Sequence, residues 1–201
     1  PGTGQQHGAR RTVAPSLLNR SYTITAEITV PQGGAEGVLV TDGGRFGGYG
    51  FYLLKGKPVF TWNLVQLERV KWLGKEALAP GKHTLEFDWK YNGPGPGKGG
   101  TGTLKVNGQV VDSHPMARSL PLVTPWDETF NAGADTGTPV DDQDYQVPFR
   151  FTGTIGKVTV KLGPNELRGD RRSDGGHPAK LVNRADAGRR TCGQPSAISR
   201  L

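Results

Sequence analysis

The sequence predicts an all-β protein, a two-sheet antiparallel sandwich with flexible terminal extensions. Apolar and polar residues alternate over residues 21–30 and again over residues 84–91, which is the period of a half-buried strand. Asn107-Gly108 separates two short apolar runs and favours the type I′ turn of a tight hairpin. No segment of useful length shows a helical period. About ten short strands between Gly- and Pro-rich turns favour a sandwich.

The other strands are predicted from shorter patterns. Residues 37–41 are short and apolar, which is typical of a central strand. Residues 49–54 and 58–64 flank Lys55-Gly56-Lys57 and are predicted to form a second hairpin. The remaining strands are predicted at residues 66–73 and 149–162.

The net charge of +7 lies outside the predicted sandwich. Residues 1–20 carry +3 and residues 168–201 carry +5, whereas residues 21–167 hold 14 basic and 15 acidic residues, a charge of −1. A folded nucleic-acid-binding domain carries its basic patch on the folded surface. The sequence therefore predicts no specific nucleic-acid partner.

Composition divides the chain into three parts. Residues 1–20 are predicted to be a linker, residues 21–164 the β-sandwich domain, and residues 165–201 a basic, flexible tail without apolar periodicity. The chain begins at Pro1, holds one cysteine and has no apolar run of transmembrane length. We expect no disulfide framework, no membrane span, and an internal fragment of a longer protein.

Four runs of the sequence carry a resemblance to a known family: residues 19–27, 43–49, 97–104 and 127–140. Over roughly residues 19–164 the chain resembles the carboxy-terminal module of large bacterial arylsulfatases. The resemblance implies a concanavalin A-like jelly roll that is not itself catalytic. It also implies packing against the sulfatase catalytic domain of a parent polypeptide, and a periplasmic or secreted parent enzyme. The tail departs from the family.

The chain lacks the nucleophile of that family. Sulfatases use a formylglycine made from Cys or Ser in the pattern Cys/Ser-x-Pro-x-Arg. Cys192 is followed by Gly193 and Gln194, so Pro195 falls one position late, and no serine is followed by x-Pro-x-Arg. The sequence therefore predicts no catalytic residue, and it leaves open whether the chain has any activity of its own.

A run of carboxylates without basic neighbours is the strongest local signal. Residues 119–149 contain no Lys or Arg, so repulsion among the carboxylates must be offset by water or by a cation. Oxygen-rich loops suit Ca²⁺, and a site for it or for another divalent ion is one expectation; a hydrated, exposed loop is the other. The candidate metal ligands are Asp127, Glu128, Asp135, Asp141, Asp142 and Asp144.

Aromatic residues suggest a carbohydrate site. Sugar-binding sandwiches stack aromatic rings on pyranose rings, and Tyr49, Trp62 and Trp72 are candidates for that role. Arg45 is the candidate anchor for an anionic group, such as the sulfate of a sulfated sugar. The alternative is that these aromatic residues fill the core. The pattern does not decide which face Trp62 and Trp72 occupy.

Three functions stay open at this point. The first is a non-catalytic accessory domain that packs on a sulfatase catalytic domain and binds Ca²⁺ or carbohydrate. The second is a weak metal-dependent hydrolase of activated phosphate or sulfate esters, such as phosphotriesters, in which the ion polarises the reacting oxygen. The third is a stand-alone lectin whose partner is a glycan.

Overall fold

The computed structural model describes residues 14–121 and 128–167. These ranges contain twelve β-strands and no helix, and hence no helix that could cross a membrane. The strands are β1 (Tyr22–Val30), β2 (Gly37–Gly44), β3 (Gly47–Leu54), β4 (Lys57–Leu64), β5 (Glu68–Leu73), β6 (Gly81–Tyr91), β7 (Lys98–Val106), β8 (Gln109–Arg118), β9 (Phe130–Ala132), β10 (Ala134–Asp135), β11 (Phe149–Arg150) and β12 (Thr154–Leu162).

Two five-stranded antiparallel sheets form the body of the protein. Sheet A has the order β5-β4-β3-β2-β9, and sheet B has the order β12-β1-β6-β7-β8. Strands β10 and β11 form a small separate pair. The predicted all-β class and two-sheet antiparallel sandwich are confirmed.

The hairpin turns follow from residues that tolerate a left-handed backbone. Asn107 and Gly108 have φ of 51° and 82°, as the predicted type I′ turn requires. Lys55 and Gly56 repeat this geometry between β3 and β4, with φ of 50° and 79°. Both hairpins predicted from the sequence are therefore present.

The alternation that predicts β1 and β6 separates the core from solvent. On β1, Tyr22, Ile24 and Ala26 are buried, whereas Thr23 and Thr25 are only partly covered. Strand β6 pairs with β1 in register and continues both faces. The outer face of sheet B therefore carries hydroxyl and charged side chains that are half-buried or exposed.

Stacked aromatic rings join the inner faces of the two sheets. Phe60 of β4 stacks on Phe87 of β6 with ring centroids 3.5 Å apart and an interplanar angle of 7°. Trp72 of β5 meets Phe87 edge-on at 4.9 Å, and its Nε1–H donates to the carbonyl of His114 at 3.2 Å. Burial of such rings is the largest apolar contribution that one side chain can make to a core.

The outer face of sheet A is covered by residues 136–149, which we call the strap. Tyr145 of the strap packs with the outward-facing Val38, Tyr52 and Val59 in a second small core. Its ring meets Tyr52 edge-on, with centroids 5.3 Å apart. Strands β2, β3 and β4 are consequently buried on both faces, apart from residues at their ends.

The folded region extends slightly beyond the predicted domain limits of 21 and 164. Leu17 and Asn19, placed in the predicted linker, are buried. The backbone N–H of Glu166 donates to the carbonyl of Asn19 at 2.9 Å, which joins the two ends of the sandwich. Residues 1–13 and 168–201, which include most of the predicted linker and tail, lie outside the described residues.

Gly102→Ala should destabilise the protein, because a Cβ at this position clashes with the Trp72 ring and would lie 2.8 Å from Phe87 Cζ. Overpacking of this kind costs about 1–3 kcal/mol. Gly156→Ala is the matched control, since a Cβ there meets only the Glu27 carbonyl, at 3.4 Å. Urea unfolding measures both variants; equal stability for the two would contradict this packing of the core.

Candidate functional site: the acidic strap and the hairpin-tip rim

Three of the candidate metal ligands are neutralised by cations of β5. The Nζ of Lys71 lies 2.7 Å from Asp141 and 2.7 Å from Asp144, and the guanidinium of Arg69 lies 2.9 Å from Asp142 and 3.5 Å from Asp141. The two carboxylates of Asp141 and Asp144 raise the pKa of Lys71 against the opposing effect of its partial burial. The basic partners absent from the strap itself are thus supplied by a strand about seventy residues earlier.

Two further candidates are buried among hydroxyl groups. The hydroxyl of Tyr145 donates to Asp135 at 2.6 Å, and the hydroxyl of Thr138 donates to Glu128. Burial raises the pKa of Asp135, and the nearby charge of Glu128 adds to the rise. These two carboxylates therefore rest on neutral donors, with no ion pair among the residues described.

The described carboxylates do not fit a metal site. In the ranges 14–121 and 128–167, no group of three or more His, Cys, Asp or Glu side chains is arranged to hold an ion. Ca²⁺ takes six to eight oxygen ligands, whereas these oxygens are divided between Lys71, Arg69 and hydroxyl donors. Asp127 lies outside the described residues, so calcium binding through it stays a prediction. The metal-dependent hydrolase hypothesis needs the same convergence of carboxylates.

The aromatic residues predicted to stack on sugar lie in the core, and that interpretation is wrong for them. Tyr49, Trp62 and Trp72 are 1%, 3% and 0% exposed. Tyr49 stacks on Phe60, and Trp62 donates from Nε1 to the hydroxyl of Tyr22 at 2.8 Å. Their rings are enclosed by other side chains, so none offers a face to a saccharide.

Arg45, the fourth carbohydrate candidate, is exposed at the turn between β2 and β3. Phe46 follows it at the tip of this hairpin and is 54% exposed. It is the one exposed Phe, Tyr or Trp side chain among the residues that the structure describes. Phe46 was not among the residues predicted from the sequence to bind a ligand. The signal that marks it is its place in a glycine-flanked turn, where a large apolar ring has no neighbour to cover it.

The tip between β4 and β5 lies beside this turn. Val65 and Leu67 are 52% and 84% exposed there. A Cβ built on Gly47 would lie 3.6 Å from Val65 Cγ1, so the two tips are adjacent. We call the exposed side chains of both tips the rim. The rim consists of Arg45, Phe46, Val65, Gln66 and Leu67.

The backbone of the second tip is strained. Val65 has φ of 49° and Gln66 has φ of 63°. A β-branched residue in the left-handed region is a conformational outlier that costs of order 1–3 kcal/mol. The surrounding contacts must therefore fix this turn, and they hold Val65 in an exposed position.

Asn63 supplies those contacts from beneath the rim. Its side chain is buried, and Nδ2 donates towards the carbonyls of Gly44 at 3.1 Å, Arg45 at 2.9 Å and Val140 at 3.0 Å. Its Oδ1 accepts from the N–H of Gln66 at 2.9 Å. One carboxamide thus joins both tips and the strap.

Thr138 fixes the rim from the side of the strap. The backbone N–H of Arg45 donates to Thr138 Oγ1 at 2.8 Å, while the Thr138 hydroxyl donates to Glu128. The turn between β2 and β3 therefore meets residues 128–140 at this rim. The arrangement offers an exposed aromatic ring and a cation on a rigid base, which suits recognition of a ligand.

Asp135→Asn should change how stability depends on pH. Burial raises the pKa of Asp135 in the folded state. The native state therefore binds the proton of the Asp135 carboxyl group more tightly than the unfolded chain, in which the Asp pKa is about 3.9. The unfolding free energy of wild type, minus that of the variant, should therefore fall as the pH rises through the interval from about 3.9 to the folded pKa. It should then stay constant. Urea unfolding between acidic and neutral pH measures the difference; a rise through this interval would contradict the assignment.

No protein-family model matches the sequence, and the search of curated proteins gives no match. Solved structures similar to the chain include mouse laminin α1 domains LG4–5, with 15% identity, a TM-score of 0.50, and coverage of 75% of this chain and 38% of that one. The CBM40 module of the Ruminococcus gnavus IT-sialidase has 12% identity and a TM-score of 0.53, with coverage of 73% and 79%. The same module bound to α2,3-sialyllactose has 14% identity and a TM-score of 0.51, with coverage of 73% and 78%. At these identities the likeness shows that the chain shares the jelly-roll β-sandwich fold of these modules.

Proposed function

We propose that the protein is a non-catalytic module that binds a glycan at the rim. The observation that carries this proposal is the exposed ring of Phe46 at a hairpin tip whose backbone is held by Asn63 and Thr138. A pyranose packs its C–H face on an aromatic ring and is oriented by a few polar groups around it. Phe46 provides the ring, and Arg45 and Gln66 provide polar groups beside it.

The fold supports the same proposal. The CBM40 module of similar fold has been solved with sialyllactose bound. The sequence lacks the sulfatase nucleophile pattern, so we assign binding and not sulfatase chemistry to the chain. The proposed glycan site contains Phe46 in place of the buried Tyr49, Trp62 and Trp72, and it keeps Arg45.

Phe46→Ala should weaken saccharide binding about tenfold, which corresponds to about 1.4 kcal/mol. The reason is the loss of the stacking surface, with little effect on folding because the side chain is exposed. Isothermal titration of the purified protein with α2,3-sialyllactose and lactose measures the change. Val110→Ala is the matched control and should leave affinity unchanged. Val110 is 60% exposed and lies near the start of β8, beside the end of β5 that is farther from the rim.

Two results would remove the proposal. One is that wild type binds no saccharide of a panel that includes lactose, sialyllactose and sulfated lactose. The other is that Phe46→Ala binds these saccharides as tightly as wild type. A loss of binding in Val110→Ala equal to that in Phe46→Ala would place the site elsewhere on the sandwich.

A second candidate function is an accessory domain that docks on an arylsulfatase-type catalytic domain. The aliphatic side chains of Val65 and Leu67 favour a protein partner, because apolar atoms left in water at the tip of a strained turn gain most from burial against another surface. Residues 43–49 and 128–140, which belong to two of the runs that resemble the sulfatase module, meet at the rim and support the same candidate. It would make the rim a junction between domains of a longer enzyme.

Leu67→Asp should abolish association with a purified arylsulfatase catalytic domain that lacks its own carboxy-terminal module. A charge placed in an apolar contact must be desolvated without a partner, which costs several kcal/mol. Analytical ultracentrifugation of the mixture measures the association, with Val110→Asp as the control. If wild type and the catalytic domain sediment independently, this second candidate is wrong, and the glycan proposal is untouched.

A further inference from the structure

The exposed charge of Arg45 indicates which class of glycan the rim would bind. Arg45 is exposed, and it forms no ion pair among the residues that the structure describes. Two acidic side chains near the rim have other hydrogen-bond partners: Glu128 accepts from Thr138, and Glu68 accepts from Arg118. Arg45 and Phe46 are consecutive residues of one exposed turn, so the rim presents a cation and an apolar ring together.

The backbone beneath this guanidinium is fixed on both sides. The N–H of Arg45 donates to Thr138 Oγ1 at 2.8 Å, and its carbonyl accepts from Asn63 Nδ2 at 2.9 Å. Preorganisation of this kind lowers the entropy that a ligand must remove on binding. The side chain therefore starts from a defined position while its charged end stays in water.

We infer that the glycan carries an anionic group, a carboxylate or a sulfate, that the guanidinium of Arg45 binds while the adjoining pyranose packs on Phe46. The inference rests on the proposed function of glycan binding at the rim. A guanidinium offers a planar fork of N–H donors that matches the paired oxygens of a carboxylate or sulfate, and such charge-assisted bonds are stronger than neutral ones. A neutral saccharide offers the guanidinium no charge-assisted bond.

Asn63 acts in this site as a positioning residue. It is buried beneath the rim and orients the backbone of Arg45 and, through Gln66, the neighbouring tip. Loss of its carboxamide would release Arg45 from the conformation in which guanidinium and ring face the same saccharide. Its effect on affinity is therefore exerted through Arg45.

The ligand class is tested by titrating wild type, Arg45→Ala and Arg45→Lys with lactose, α2,3-sialyllactose and 6-sulfated lactose. We expect at least one anionic ligand to bind wild type tenfold or more tightly than lactose, with the preference weakened by added salt because the charges are exposed. Arg45→Ala should bind all three alike, and Arg45→Lys should keep only part of the preference. The two anionic ligands separate a carboxylate reader from a sulfate reader.

The outcomes separate this inference from the proposed function. If wild type binds lactose through Phe46 as tightly as both anionic ligands, or if Arg45→Ala keeps the anionic preference, the inference is overturned and glycan binding stands. If wild type binds none of the three, the proposed function falls and the inference falls with it.

The role of Asn63 is tested by a double-mutant cycle. Binding of the preferred anionic ligand is measured for wild type, Asn63→Ala, Arg45→Ala and the double variant. The temperature is kept below the thermal unfolding midpoint of each protein. A positioning role predicts that Arg45→Ala costs at least fivefold less affinity in the Asn63→Ala background; a merely structural role predicts additive losses. Thr138→Val, which removes the other bond to the Arg45 backbone, repeats the test should Asn63→Ala fail to fold.

Discussion

The burial of sheet A on both faces is the constraint on which the rest of the structure depends. Its inner face packs on sheet B through the stack of Phe60 on Phe87, and its outer face packs under the strap. Polar side chains that point outward from such a sheet need partners in the strap. The carboxylates of Asp141, Asp142 and Asp144 neutralise Lys71 and Arg69 of β5. Tyr145, in the same segment, closes the second core.

This constraint explains how far the sequence could predict the fold. Strands β1 and β6 show a clear two-residue period, because the outer face of sheet B meets water. Strands β2 to β4 show almost none, because neither of their faces does. Their existence was predictable from apolar runs and turns, but the side on which Trp62 lies was not. Periodicity tells which residues share a face; it does not tell what covers that face.

The site was less predictable because its contacts join distant parts of the chain. In the sequence, the strap is a run of carboxylates without basic neighbours, because its basic partners belong to β5. The glycine-rich turn indicates Arg45, whereas its neighbour Phe46 stands out only because the other aromatic rings of residues 14–121 and 128–167 are buried or partly buried. The role of Asn63 lies in hydrogen bonds to Gly44, Arg45 and Val140, and no local pattern marks such a residue. Local patterns such as turns could be predicted from the sequence, whereas contacts between residues far apart in the chain could not.

The joined ends of the sandwich have a consequence for how the chain could be rewired. The Glu166 N–H donates to the Asn19 carbonyl, so the first and last parts of the described chain lie side by side. A short Gly-Ser linker could close the chain there, and new termini could be opened at the exposed Asn107-Gly108 turn. Such a circular permutant would keep all strand pairings and would lose only the covalent connection between β7 and β8. Its rim would be displayed from a backbone whose free ends lie on a different part of the surface.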